Sequence, residues 1–127
     1  MTTDRTATIT IAGDEYTLVL TTKATKEIAG RYGGLENLGD KLMKSENFEM
    51  ALGEIVWLIT LLANQALLIH NLKHKEDQKE LLTEDMVELL TVPADLASYK
   101  TAITAALYAG TKRNVESEAD SKNAVVG

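Results

Sequence analysis

Apolar positions are densest between Met50 and Leu72, where Ile55, Val56, Trp57, Leu58, Ile59, Leu61 and Leu62 are followed by the run Ala66 to Ile69. Wound as a helix, a stretch of this length extends about 35 Å, enough to cross a small domain. At 100° per residue Thr60, Asn64 and Asn71 fall within about 40° of one another, with Glu54 and Gln65 beside that arc. The remaining circumference is apolar, so the helix must be covered on most sides. A membrane span needs about twenty apolar residues, and Glu54, Asn64 and Gln65 interrupt the run first. The stretch reads as the central helix, over 46–72, of a soluble domain.

The other segments supply the cover. Residues 6–20 read as a β-hairpin, because Ala7, Ile9 and Ile11 alternate with threonines and Tyr16, Leu18 and Leu20 alternate after Gly13-Asp14. A two-residue turn at Gly13-Asp14 pairs Ile11 with Tyr16, Ile9 with Leu18 and Ala7 with Leu20, all on one side. A lone hairpin is marginal in water, so that side must lie on helices. Thr21 or Thr22 caps a helix over 22–32, with Ala24, Ile28 and Tyr32 in line and Gly33 placed to end it. A shorter helix over 35–44 carries Leu35, Leu38, Leu42 and Met43 and is interrupted by Gly39. Ser45 is the expected N-cap of the central helix, with Glu46 in its first turn.

After the central helix the charged run His74 to Glu80 reads as a solvated helix end and linker. Thr83 caps a helix over 84–90 with Met86, Leu89 and Leu90 on one side, and Pro93 opens another over 94–109. There Leu96, Tyr99, Ile103, Ala106 and Leu107 share a face, and Gly110 is expected to end the helix. Residues 111–127 have no periodicity and few large side chains, and read as a disordered tail. The expected fold is mostly α (α+β): one domain over 1–110, with an N-terminal β-hairpin packed on a small helical bundle around one long central helix.

Composition narrows the function. The chain has 127 residues, 45% of them hydrophobic but only 5% aromatic, so its core is aliphatic. It has no Cys, which removes disulfides, thiolate ligands and thiol nucleophiles and fits a reducing compartment. The N-terminus lacks the apolar segment of a secretory signal. A net charge of −6 argues against nucleic-acid binding by phosphate neutralisation.

Candidate chemistry is thin. His70 and His74 stand at the i, i+4 spacing of a metal pair, with Asp77 as a third ligand, but the Glu that the zinc-protease motif places after its first His is missing. Gly30, Gly33, Gly34 and Gly39 have neither the dinucleotide nor the phosphate-loop spacing. Ser45, Ser98, Ser117 and Ser121 sit at a cap, on a helix and in the tail, none in a strand-to-helix elbow. Glu54 among aliphatic neighbours is a candidate acid, although a carboxylate at the edge of an amphipathic helix is commonplace. No catalytic residue, cofactor or metal is expected. Leucine-rich faces remain, and an uncovered one marks a partner site. Leu61, Leu62, Leu68 and Leu107, at the margins of the central and C-terminal helices, are the candidate contacts.

The run ITIAGDEYTLVLTTKATKEIAGRYGGLENLGDKL resembles the opening of the small tail assembly chaperones of long-tailed bacteriophages and prophages. The shared pattern is a short hairpin with a Gly turn, a Tyr two residues after Asp14, and a Lys-Ala helix ending in Arg31-Tyr32-Gly33-Gly34-Leu35. It covers about residues 9–42; the rest matches in helical character and size. The resemblance implies a non-enzymatic protein of the bacterial host cytoplasm that coats the tape-measure protein and keeps it soluble. It would also help recruit tail-tube subunits, and it is absent from the finished tail. It implies further that a longer frameshifted product can arise near the C-terminus. Expected partners are the tape-measure protein, the tail-tube protein and a second copy of the chain, with no nucleic acid and no membrane. The competing readings are a structural tail terminator or connector, and a small regulatory adaptor such as an antitoxin.

Overall fold

The computed structural model describes residues 7–38 and 48–126, and side chains within 7–38 and 51–110. Strands β1 (Thr8–Ile11) and β2 (Asp14–Thr17) form a two-stranded antiparallel hairpin. Helices α1 (Thr22–Tyr32), α2 (Phe48–Lys73), α3 (Glu84–Leu90) and α4 (Pro93–Val126) follow, and residues 35–38 are also helical. The architecture is mostly α, with the hairpin and the shorter helices gathered around α2, as the periodicity predicts. The calls on Gly39, Leu42, Met43, Ser45 and Glu46 lie outside the described residues.

The hairpin turns one residue earlier than expected. Ile9 pairs with Tyr16 and Ile11 with Asp14, and the Leu18 N–H donates to the Ala7 carbonyl at 2.7 Å. The turn residues are Ala12 and Gly13, at φ +52° and +87°. Positive φ at both central positions is the primed geometry that matches strand twist, and Gly13 fills the second of them. The register moves by two, which preserves the face of every side chain. Ala7, Ile9, Ile11 and Leu18 are therefore still buried together, with Tyr16 and Leu20 half-buried at their edge.

Thr21 fixes the start of α1 and its distance from α2. Its hydroxyl oxygen accepts the Ala24 N–H at 3.0 Å and donates to the side-chain carbonyl of Gln65. Gln65 in turn donates to the Leu61 carbonyl at 3.1 Å. It is the buried polar side chain of the described core, and these bonds satisfy it. The other end of α1 closes on Gly33, whose φ of +86° lets its N–H reach the Ala29 carbonyl at 2.7 Å.

Ile55, Leu58, Ile59 and Leu62 of α2 are fully buried, together with Ile11, Ile28, Leu38, Val87 and Ile103. The stretch Ala51–Lys73 is long and apolar enough by length and composition to cross a membrane. In this fold it supplies the centre of the core.

The polar arc on α2 faces chain rather than open solvent. Asn64 donates to the Leu82 carbonyl at 2.9 Å and accepts the Leu82 N–H at 2.8 Å. Two helical turns on, Asn71 holds Lys79 in the same way, at 3.0 and 2.7 Å. Each amide completes the hydrogen bonding of one extended residue, so the segment returning from α2 to α3 is laid along the helix that precedes it.

Helix α4 was expected to stop at Gly110 with a disordered tail beyond it. Its backbone instead remains helical to Val126. Gly110 is absent from the positive-φ glycines, so it does not terminate the helix. A Cβ there would meet Leu20 Cβ at 2.7 Å, and glycine is what lets α4 approach the end of the hairpin. Two alanine substitutions check this. Gly53→Ala, inside α2 with nothing within 4 Å of the added carbon, should stabilise by about 0.5–1 kcal/mol. Gly110→Ala should instead lose about 1–2 kcal/mol, because the overpacking cost exceeds the helix-propensity gain. Equal shifts in thermal unfolding for the two would refute the close approach.

Candidate functional site

A groove of about 240 Å³ runs along α2 beside the start of α1 and the return segment. Trp57, Leu61, Leu68 and Leu81 give it apolar walls, while Lys23, Glu27 and Glu84 stand among its polar lining. The spacing Trp57, Leu61, Leu68 places one apolar residue per turn or two along the helix. That is the pattern against which the apolar stripe of another helix packs.

Leu61 and Leu68 are half-buried and line this groove together. Leu62 does not belong with them: it is fully buried, and its side chain reaches no partner while the fold is intact. One step of 100° around α2 separates a groove residue from a core residue. Leu107 packs half-buried against the core from α4 and does not line the groove. Trp57 is half-buried at the groove wall, with part of its ring against the core.

Trp57 is held there by a polar cluster. The Arg31 guanidinium lies 4.4 Å from its ring centroid, and Tyr32 meets it edge-on at 5.9 Å. Glu54 accepts from the Tyr32 hydroxyl, and from Arg31 Nε at 3.5 Å. Burial, and then the bond to Glu54, push the Tyr32 phenol up to about 12. In this arrangement Glu54 ties the end of α1 to α2 and fixes the orientation of Trp57. These contacts give Glu54 a structural role.

His70 and His74 are stacked with centroids 4.3 Å apart, but their nitrogens face different partners. His70 Nε2 sits 2.8 Å from the Asp77 carbonyl and 3.2 Å from its carboxylate. His74 Nδ1 sits 3.0 Å from the His70 carbonyl, and Gln78 donates to the carbonyls of Asn71 and His74. These side chains close the C-terminal end of α2. Among the described residues no group of three or more His, Cys, Asp or Glu is placed to hold a metal ion.

Exposed apolar residues collect elsewhere as well. Leu89 is 84% exposed, and Leu90, Val92 and Leu72 are also open to solvent. Periodicity puts Met86, Leu89 and Leu90 on one side of α3; Met86 packs against the core, while Leu89 and Leu90 are exposed. In a helix of 7 residues the buried anchor is Val87, and Leu89 lies about 200° around from it. Two apolar groove residues, Trp57 and Leu81, are missing from the sequence candidates; Trp57 is signalled by the Arg31-Tyr32 pair one helix earlier, and Leu81 depends on the path of the return segment. Compared with models of protein families, with curated proteins and with solved structures, the chain matches none.

Proposed function

We propose that this chain is a tail assembly chaperone of a long-tailed bacteriophage or prophage. On this reading it acts in the bacterial host cytoplasm without catalysing a reaction. It binds the tape-measure protein, keeps that protein soluble, helps recruit tail-tube subunits, and is left out of the finished particle. The observation that carries the reading is the groove of Trp57, Leu61 and Leu68, an aliphatic and aromatic wall on α2 that the other described elements leave open. A tape-measure protein presents helical apolar stripes, and such a wall accepts one by its i, i+4 anchors. The N-terminal resemblance, from the hairpin turn to Arg31-Tyr32-Gly33-Gly34-Leu35, supports the same class.

Leu61 and Leu68 are the first contacts on this reading, with Leu107 as a marginal one. Co-expression with the cognate tape-measure protein should raise its soluble fraction, and the two should co-purify. Mass spectrometry of purified particles should lack this chain. Its stoichiometric presence there would support a terminator or connector instead, and an equally soluble tape measure without it would refute the chaperone reading.

A further inference from the structure

The two edges of the hairpin are covered differently. In an antiparallel pair, residues alternate between those that exchange both backbone hydrogen bonds and those whose N–H and C=O point away from the partner strand. Leu18 bonds to Ala7, so in the observed register Ile9–Tyr16 and Ile11–Asp14 are bonded pairs, while Thr10, Glu15 and Thr17 face outward. On the β1 side, α4 closes the edge: the Tyr99 hydroxyl donates to the Thr10 carbonyl at 2.6 Å. Beyond β2, the next outward residue is Val19, whose N–H donates to the Leu62 carbonyl of α2 at 3.2 Å.

Toward the turn this contact gives way to a cleft of about 430 Å³ lined by Asp14, Glu15, Tyr16 and Thr17. No described group bonds the outward backbone atoms of Glu15 or Thr17. The floor is Ala63, Ala66 and Leu67 of α2, and Lys79 and Glu80 of the return segment form the far wall. The small floor residues leave room beside the open edge. Asp14, Glu15 and Glu80 bring three carboxylates to the rim against Lys79, while His70 is already engaged with Asp77. Asp14 and Glu80 also lie near enough to Tyr16 to add to the upward shift that burial gives its hydroxyl.

We infer that the outer edge of β2 docks an extended, basic segment of a partner protein, which adds as a third strand over Ala63 and Ala66. Its Lys or Arg side chains meet Asp14, Glu15 and Glu80. An open strand edge is a ready template for such addition, with main-chain bonds supplying affinity and the rim supplying selection. Glu15 and Thr17 offer two outward donors and two outward acceptors. The site is separate from the Leu61–Leu68 groove and stands or falls independently of the chaperone reading.

Fluorescence anisotropy with labelled hexapeptides tests it on the full chain. The probes are Lys-Val-Lys-Val-Lys-Val, its Glu-for-Lys counterpart, and the Lys peptide with every backbone amide methylated. The Lys peptide should bind at least tenfold tighter than the Glu peptide, and the methylated one should not bind. Thr17→Pro removes an outward N–H without touching a hairpin bond, a position where edge proline is tolerated. It should weaken the Lys peptide at least tenfold, as should Asp14→Asn combined with Glu80→Gln, a pair that leaves the backbone unaltered. Equal binding of Lys and Glu peptides, or binding of the methylated peptide, would overturn the proposal. So would self-association that Thr17→Pro abolishes in the absence of peptide binding, which would make a second copy the occupant.

Discussion

Leu62→Ala should destabilise the fold by about 2–5 kcal/mol, while Leu61→Ala, its immediate neighbour, should change stability by less than about 1 kcal/mol. Leu62 has no exposed surface and lies in the cluster with Ile55, Leu58, Ile59 and Ile103. Removing three of its carbons strips transfer energy and leaves a cavity among side chains that cannot all relax. Leu61 lines an open groove, so its truncation enlarges a space that solvent already enters. The partner should respond in the opposite sense. Leu61→Ala should weaken capture of a helical apolar segment with folding intact, whereas Leu62→Ala should affect capture only through loss of folded protein. Urea denaturation of both variants, read beside co-purification, separates the two roles.

Asn64→Leu should cost about 2–4 kcal/mol, although it replaces an amide by a side chain of similar size and greater hydrophobicity. On burial alone it would be expected to stabilise. It removes both partners of Leu82, whose residue is buried, and each buried backbone group left unpaired costs about 1–3 kcal/mol. Asn64→Asp separates the two halves of the clamp: the carboxylate can still accept the Leu82 N–H but now opposes its carbonyl. The matching change at Asn71, whose bonds to Lys79 are solvent-exposed, should cost less than half as much. Equal losses at the two asparagines would mean that burial of Leu82 does not set the energy.

The polar arc on α2 was legible as a pattern but not as a device. Thr60, Asn64 and Asn71 share an arc by spacing alone, which is equally consistent with a solvated stripe. Nothing local says that residues 79 and 82 return to meet it, because that contact depends on the path of the linker. The hairpin is a similar case. Alternation fixed which residues are buried, yet registers differing by two satisfy it equally, and the positive φ of Ala12 and Gly13 decides between them. Gly110 misled for the opposite reason, since a glycine that ends a helix and one that admits a neighbour look alike in sequence. The position of its missing Cβ against Leu20 distinguishes them. In the groove, Leu61 and Leu68 follow from the breadth of the apolar surface on α2. Leu62 falls away from them because a single helical step, from Leu61 to Leu62, separates the open side from the covered one.

The most direct test of the groove is capture of the cognate tape-measure protein by the Leu61→Asp, Leu68→Asp double variant. Both side chains are half-buried along the groove, with Leu61 partly against the core, so the thermal midpoint of the double variant is measured alongside capture to show that it folds. The two carboxylates would place charge against the apolar stripe of the bound helix. The predicted result is a folded variant that no longer co-purifies with the tape-measure protein or keeps it soluble. A folded variant that captures and solubilises it as well as the unaltered chain does would contradict the assignment of this groove.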